Sequence, residues 1–355
     1  MPNFATTYPV FRDAVQRELD AFVAQQAPSV LGISGELAPA LDALTSLLSG
    51  GKRLRPAFCH WGYIGAGGTD HATSIRAASA LELLQASALI HDDVMDNSDT
   101  RRGLPAVHRR FESVHRDADW HGAATDFGRA AAILIGDLAL VWTDDMLLAS
   151  GFAAAALQRA KPVFDAMRTE LMSGQFLDVL EQARGGGSVE RALRVMRFKT
   201  TAYTIERPLH LGAALAGATP DVLAAYTAFG VPLGEAFQLR DDVLGVFGNP
   251  AETGKPAGDD VREGKRTVLI ALAQERASKA ALDVLDDFVG SPDLNDDQLA
   301  QVREVLEATG AVAEVERRIA ANRDAALAVL EGGTIATDAV DALRSLALAA
   351  TERSA

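Results

Sequence analysis

The chain has 355 residues, 48% of them hydrophobic and only 6% aromatic, with a formal net charge of −14 and one cysteine. That charge excludes an extended nucleic-acid surface, which needs clustered Lys and Arg, and a single cysteine excludes an intrachain disulfide. A mix dominated by Ala and Leu favours helix, because these side chains lose little freedom on entering one.

Helical periodicity predicts elements over residues 8–26, 37–48, 53–66 and 72–92. It resumes over 122–150, 153–183, 189–216 and 220–247, then over 267–289, 296–308, 311–330 and 337–351. Alternating strand patterns are nearly absent, so the expected fold class is all-α. Glycine and proline punctuate the chain at 50–51, 65–70, 185–187, 217–220, 248–258 and 290–292. None of these is a long linker, and the expectation is one large helical domain over residues 1–355. The N-terminus has no basic start followed by an apolar run, so no signal peptide is expected. No stretch reaches the ~18 uncharged apolar residues of a membrane span, and a reducing cytoplasm is the expected location. Cys59, inside an apolar stretch, reads as a small core residue.

Chemistry is concentrated in two segments. The first is the run from Ala88 to Asp96, in which Asp92 and Asp96 are four apart and share a helix face. Like charges at that spacing destabilise a helix unless something positive sits between them. Oxygen ligands with few competing His or Cys suggest magnesium rather than zinc. Taken alone, the segment also reads as a helix end whose acids spill into solvent. Arg101 and Arg102 follow within one loop, and the planar fork of arginine matches phosphate oxygens. His91, beside the acids, reads as a packing or capping residue. The second segment carries Asp241 and Asp242 at the end of another apolar helix, then a loop with Lys255 and Lys265 and glycines at 254 and 258. Each lysine taken singly reads more readily as surface than as site. Together, two acidic helix ends, each followed by basic residues, point to a magnesium-bridged diphosphate.

These blocks, with Gly50-Gly51-Lys52-Arg53-Leu54-Arg55-Pro56, Gly174-Gln175-Phe176-Leu177-Asp178, Lys199-Thr200 and Phe237-Gln238, occur in an order that resembles the trans-isoprenyl diphosphate synthases. The resemblance covers roughly residues 49–267. It implies an isoprenoid synthase fold around a deep central cavity, usually a homodimer. It implies transfer of an allylic group (dimethylallyl, geranyl or farnesyl diphosphate) to isopentenyl diphosphate, with Mg2+ as cofactor. Carried over by position, Lys52, Arg55, Gln85 and Arg102 would hold isopentenyl diphosphate, and Asp92, Asp96 and Asp241 would bind the metal. Arg101, Lys199, Lys255 and Lys265 would contact the allylic diphosphate, Thr200 and Gln238 would border the forming cation, and Gln175 and Asp178 would support them. One position departs from the pattern: the second acidic motif ends in Gly245 where the family often has Asp. Asp259 and Asp260 stand in the following loop, where a solvated role is equally readable.

Product length would be read by the helix before Asp92. One helical turn rises about 5.4 Å, close to an isoprene unit. Ala88, Leu84 and Leu81 lie on that face, with Ser87 beside Ala88. Farnesyl-producing relatives commonly carry aromatics at the positions of Ser87 and Ala88, so small residues here imply a geranylgeranyl-length or longer product. The competing readings are a terpene cyclase, which does not need Lys52 and Arg55, and a regulatory subunit of a synthase heteromer.

Overall fold

The computed structural model of the protein describes residues 4–248 and 258–352. It begins with α1 (Phe4–Leu31), α2 (Ala38–Leu48), α3 (Leu54–Gly65) and α4 (His71–Met95). A short antiparallel hairpin, β1 (Thr100–Arg101) and β2 (Leu104–Pro105), leads to α5 (Val107–Asp117). Long helices α6 (Ala124–Leu148) and α7 (Ala154–Arg184) follow. Next come α8 (Val189–Met196), a π-helical segment (Arg197–Glu206) and α9 (Arg207–Ala216) in one continuous run. The remainder is α10 (Pro220–Phe247), α11 (Asp259–Arg262), α12 (Val268–Arg276), α13 (Lys279–Phe288), α14 (Asp296–Ala308), α15 (Ala311–Val329) and α16 (Thr337–Thr351). The expected all-α class is what the chain adopts, and the hairpin is its only sheet among the described residues.

Three elements differ from the sequence reading, each for a local reason. Helix α5 has no conventional apolar stripe: its buried face combines Val107 and Phe111 with His108, Glu112 and His115. The periodic stretch 267–289 divides at Ala277, which is extended, and Ser278 starts α13 by accepting the Ala281 N–H. The stretch 189–216 contains ten residues of π-helix, a geometry that appears mostly at functional sites.

Helix α4 is the central element. Asp70 starts it by accepting the Thr73 N–H, and it packs along α6 and α3. Ala77, Leu81, Leu84 and Ile90 are fully or almost fully buried in the larger apolar cluster. A second cluster is formed by α8, the C-terminal half of α10 and helices α11–α15. Helix α10 runs through both, with Phe229 and Leu233 in the first and Leu239 and Val243 in the second. Cys59 is buried in the larger cluster, and burial pushes its thiol up to about 12, which suits a core residue. No described helix is long and apolar enough to cross a membrane.

Candidate active site

A cavity of about 680 Å³ opens beside the C-terminal half of α10. Its wall includes Asp92 from α4, Lys199 and Thr200 from the π-helical segment, and Gln238 and Asp241 from α10. Lys52 and Lys265 reach it from loops. The two acidic helix ends therefore share one hollow, together with lysines distant from both in sequence.

Helix α4 stops just where its acids are needed. Asp96 is the C-cap, its N–H bonded to the Asp92 carbonyl at 2.8 Å, and Asn97 then turns left-handed with φ 55°. The Asp92 carboxylate accepts from Gln175 Nε2 at 2.8 Å and from Lys199 Nζ at 3.2 Å. Lys199 also donates to Asp178 Oδ2 at 2.6 Å. This cross-link depends on Gly174: a Cβ there would lie 2.3 Å from the Lys199 backbone nitrogen, so only glycine lets α7 approach the π-helical segment so closely. Burial penalises the Asp92 charge, but Lys199, Lys265 and Arg101 outweigh it and hold this carboxyl well below the usual range. Asp96 goes the other way. Burial and the neighbouring Asp92 charge push it up to about 6.

Arg101 is tied to its own segment. Its Nε donates to Asp93 Oδ1 at 2.8 Å, a second guanidinium nitrogen bonds the same oxygen, and Asp92 Oδ2 lies 3.9 Å away. Burial acts against the Arg101 charge, yet Asp93 and Asp92 raise its pKa overall. Asp93, buried at 2% exposure, thus orients Arg101 while Asp92 faces the cavity.

The second basic site lies where α3 begins. Arg55 donates to Thr204 Oγ1 at 2.8 Å and stacks over the Tyr203 ring at 4.2 Å. Tyr203 Oη in turn donates to Gln85 Oε1 at 2.8 Å, so Arg55 and Gln85 are joined through a tyrosine that sequence reading did not single out. Arg102 donates to the Leu47 carbonyl at 2.6 Å, which brings it to the same loop. The loop is anchored from below by Arg53, left-handed and 3% exposed, which pairs with Glu82 and donates to Gln16 Oε1 at 2.6 Å. Tyr8 Oη donates to the Lys52 carbonyl at 2.5 Å. Helix α1 thus grips the loop twice, an attachment that no motif announces.

The α10 wall is built differently. Asp242 is buried and accepts from Gln238 Nε2 at 2.8 Å, and burial pushes its carboxyl up to about 8. Asp260, from α11, lies beside Gly245 in the cavity wall. Lys265 sits 2.6 Å from Glu263, 3.4 Å from Asp96 and 3.4 Å from Asp260.

Some expected positions stand apart from this hollow. Leu81 and Leu84 are core residues, Ser87 is fully buried with its hydroxyl unpartnered, and Ala88 is half-buried. None of these lines the 680 Å³ cavity. His91 packs on α6, its Nε2 3.1 Å from the Ile133 carbonyl. Lys255 lies outside the described residues.

The donor set fits a hard divalent cation. Both Asp96 carboxylate oxygens are buried without a hydrogen-bond partner, with the Lys265 ammonium 3.4 Å from one of them as a charge partner, so their lone pairs stay available to a cation. No three acidic, His or Cys side chains among the described residues already surround one point. Magnesium does not require that: it is typically held by one or two carboxylates plus substrate phosphates.

The polyprenyl synthetase family model matches residues 38–307. The chain belongs to the polyprenyl synthetase family. Among its relatives, a geranylfarnesyl diphosphate synthase of Aeropyrum pernix is 33% identical over 277 residues, 78% of this chain and 81% of that protein. A (2E,6E)-farnesyl diphosphate synthase of Mycobacterium tuberculosis is 34% identical over 278 residues, 76% of this chain and 71% of that protein. The solved structure of a geranylgeranyl pyrophosphate synthase from Corynebacterium glutamicum, complexed with isoprenyl diphosphate and magnesium, superposes with a TM-score of 0.94. It is 45% identical and covers 97% of this chain and 99% of that chain. The names of these polyprenyl synthetases differ in product length, so family membership leaves that length open.

Proposed function

We propose that the chain condenses isopentenyl diphosphate with an allylic diphosphate, head to tail and in trans, to give a longer prenyl diphosphate. The observation that carries this reading is the single cavity shared by Asp92, Asp241, Lys199, Lys265 and Lys52. Two acidic ends suit one metal-bound diphosphate, and the basic loop at Lys52 suits a second.

In this reading Lys52, Arg55, Gln85 and Arg102 hold isopentenyl diphosphate, and Tyr203 keeps Arg55 and Gln85 in register. Lys199, Lys255, Lys265 and Arg101 bind the allylic diphosphate and stabilise the charge it gains on leaving. Asp92, Asp96 and Asp241 hold Mg2+, which when bound draws negative charge from the departing group. Gln175 and Asp178 fix Asp92 and Lys199, and the oxygens of Thr200 and Gln238 face the allylic cation. Exclusion of water protects that cation until the isopentenyl double bond attacks it. The released diphosphate then accepts the proton whose loss restores the alkene.

The proposed product has geranylgeranyl length, a reading supported by the small side chains of Ser87 and Ala88 on the helix that leads to Asp92, with Leu84 and Leu81 further back along it. Ala88→Phe should shorten the product by at least one five-carbon unit, read by mass spectrometry. An unchanged product would remove Ala88 from the ruler. Residues 1–355 are proposed to work as one domain, since α10 runs through both apolar clusters. A homodimer is supported by exposed apolar side chains at Leu134, Val141 and Leu148 on α6 and at Met172, Phe176 and Val179 on α7. The proposed location is the cytoplasm.

The test is incubation of the pure chain with Mg2+, radiolabelled isopentenyl diphosphate and each short allylic primer. Label in a 20-carbon diphosphate is expected. A hydrocarbon formed from the primer alone would favour a terpene cyclase, and activity only with an added partner chain would favour a regulatory subunit.

A further inference from the structure

We propose that Asp260 supplies the carboxylate that α10 lacks at Gly245, so that the divalent cation and diphosphate are gripped on this side by Asp241 and Asp260 together. The inference rests on the metal–diphosphate reading above and assigns it a ligand from outside both acidic helices.

The geometry is specific. On α4 the acids read as metal-binding stand four apart, Asp92 and Asp96. On α10 the residue four after Asp241 is Gly245, which lies on the same helix face. A Cβ on Gly245 would fall 1.9 Å from Asp260 Oδ2 and 2.6 Å from its Cγ. The Asp260 carboxylate therefore fills the space in which a side chain at 245 would begin. Asp241, Gly245 and Asp260 all line the same cavity. A side chain at 245 and the Asp260 carboxylate in its present position therefore exclude each other, and a larger residue would oblige Asp260 to move.

A second observation relates Asp260 to the acids of α4. Lys265 Nζ lies 3.4 Å from Asp260 Oδ1 and 3.4 Å from Asp96 Oδ2, so the two carboxylates approach one positive charge from opposite walls. The Asp96 side chain is 1% exposed and has no hydrogen-bond partner for either oxygen. A competing role for Asp260 is to anchor Lys265. Lys265 does donate to Asp260 Oδ1 at 3.4 Å, while its closer approach to Glu263 Oε2 at 2.6 Å makes no hydrogen bond, so the test has to separate the two roles.

The test uses the full chain, Mn2+ as the metal and inorganic diphosphate as a ligand that does not react. Bound Mn2+ is counted by electron paramagnetic resonance at saturating diphosphate. Asp260→Asn, nearly isosteric, should raise the Mn2+ concentration for half-saturation by about tenfold or more. Gly245→Asp should weaken binding as well, because two carboxylates would compete for one space. Gly245→Asp combined with Asp260→Gly should return the half-saturation point to within a few-fold of the starting protein. The proposal is overturned if Asp260→Asn titrates like the unmodified chain. It is also overturned if Asp260→Asn weakens diphosphate while the Mn2+ requirement stays constant, since Asp260 would then act only through Lys265. A folded double variant as weak as the poorer single would overturn it too. Failure of the unmodified chain to bind Mn2+ with diphosphate would instead remove the metal–diphosphate reading itself, and this proposal with it.

Discussion

On α4 the acids stand on one continuous helix end, with Asp92 and Asp93 in the last turn and Asp96 at the cap. On α10 the helix contributes Asp241 and Asp242, then Gly245, and Asp260 arrives from α11. The two walls also differ in how their charge is held. Asp92 is surrounded by Lys199, Lys265 and Arg101, which keep it ionised. Asp242 is buried against a glutamine amide and keeps its proton up to about pH 8. The difference teaches that one wall is a pre-charged grip and the other a partly neutral wall assembled from two elements.

The largest expected effect separates the walls directly. Asp92→Asn removes the pre-charged group and should lower kcat by about 100- to 1000-fold, the scale seen when one preorganised electrostatic contact to a transition state is lost. Asp242→Asn should cost less than about tenfold, because the Asp242 carboxyl is buried and already accepts from the Gln238 amide. Equal losses in steady-state assays would abolish the distinction. A middle-sized effect is expected at Asp93. Asp93→Asn should release Arg101 and lower kcat about tenfold, with KM for isopentenyl diphosphate unchanged, which sharpens the assignment of Arg101 to the allylic side. A rise in that KM alone would reassign it.

The smallest effect concerns stability. Asp242 has its folded pKa raised from 3.8 to about 8. Below about pH 4 the group is protonated in folded and unfolded chains alike. As pH rises towards 8 the unfolded chain releases this proton and the folded chain retains it, so stability is lost progressively. In metal-free protein, Asp242→Asn should therefore gain a few degrees in Tm relative to the unmodified chain between pH 5 and pH 8. A constant difference across that range would show that Asp242 is ionised in the fold.

What was legible in the sequence is what is contiguous. Asp92 and Asp96 announce themselves because helix spacing places them on one face, and Arg101 and Arg102 follow in the same loop. The helices were legible wherever an apolar stripe marks them. Helix α5 was not, since His108, Glu112 and His115 occupy its inner face. The π-helical turn that presents Lys199 leaves no trace in periodicity, because it alters the backbone and not the residue pattern. The hold of Gln16 and Tyr8 on the Lys52 loop depends on how α1 packs. Asp260 read as a solvated loop acid because its partner, Gly245, appears in the sequence only as a missing aspartate.

The most direct test is a crystal of the full chain grown with Mn2+ and inorganic diphosphate, with the metals located by anomalous scattering. The account predicts metal peaks against both Asp92–Asp96 and Asp241, bridged by one diphosphate. Metal confined to one wall, or peaks on each wall with no shared diphosphate, would contradict it.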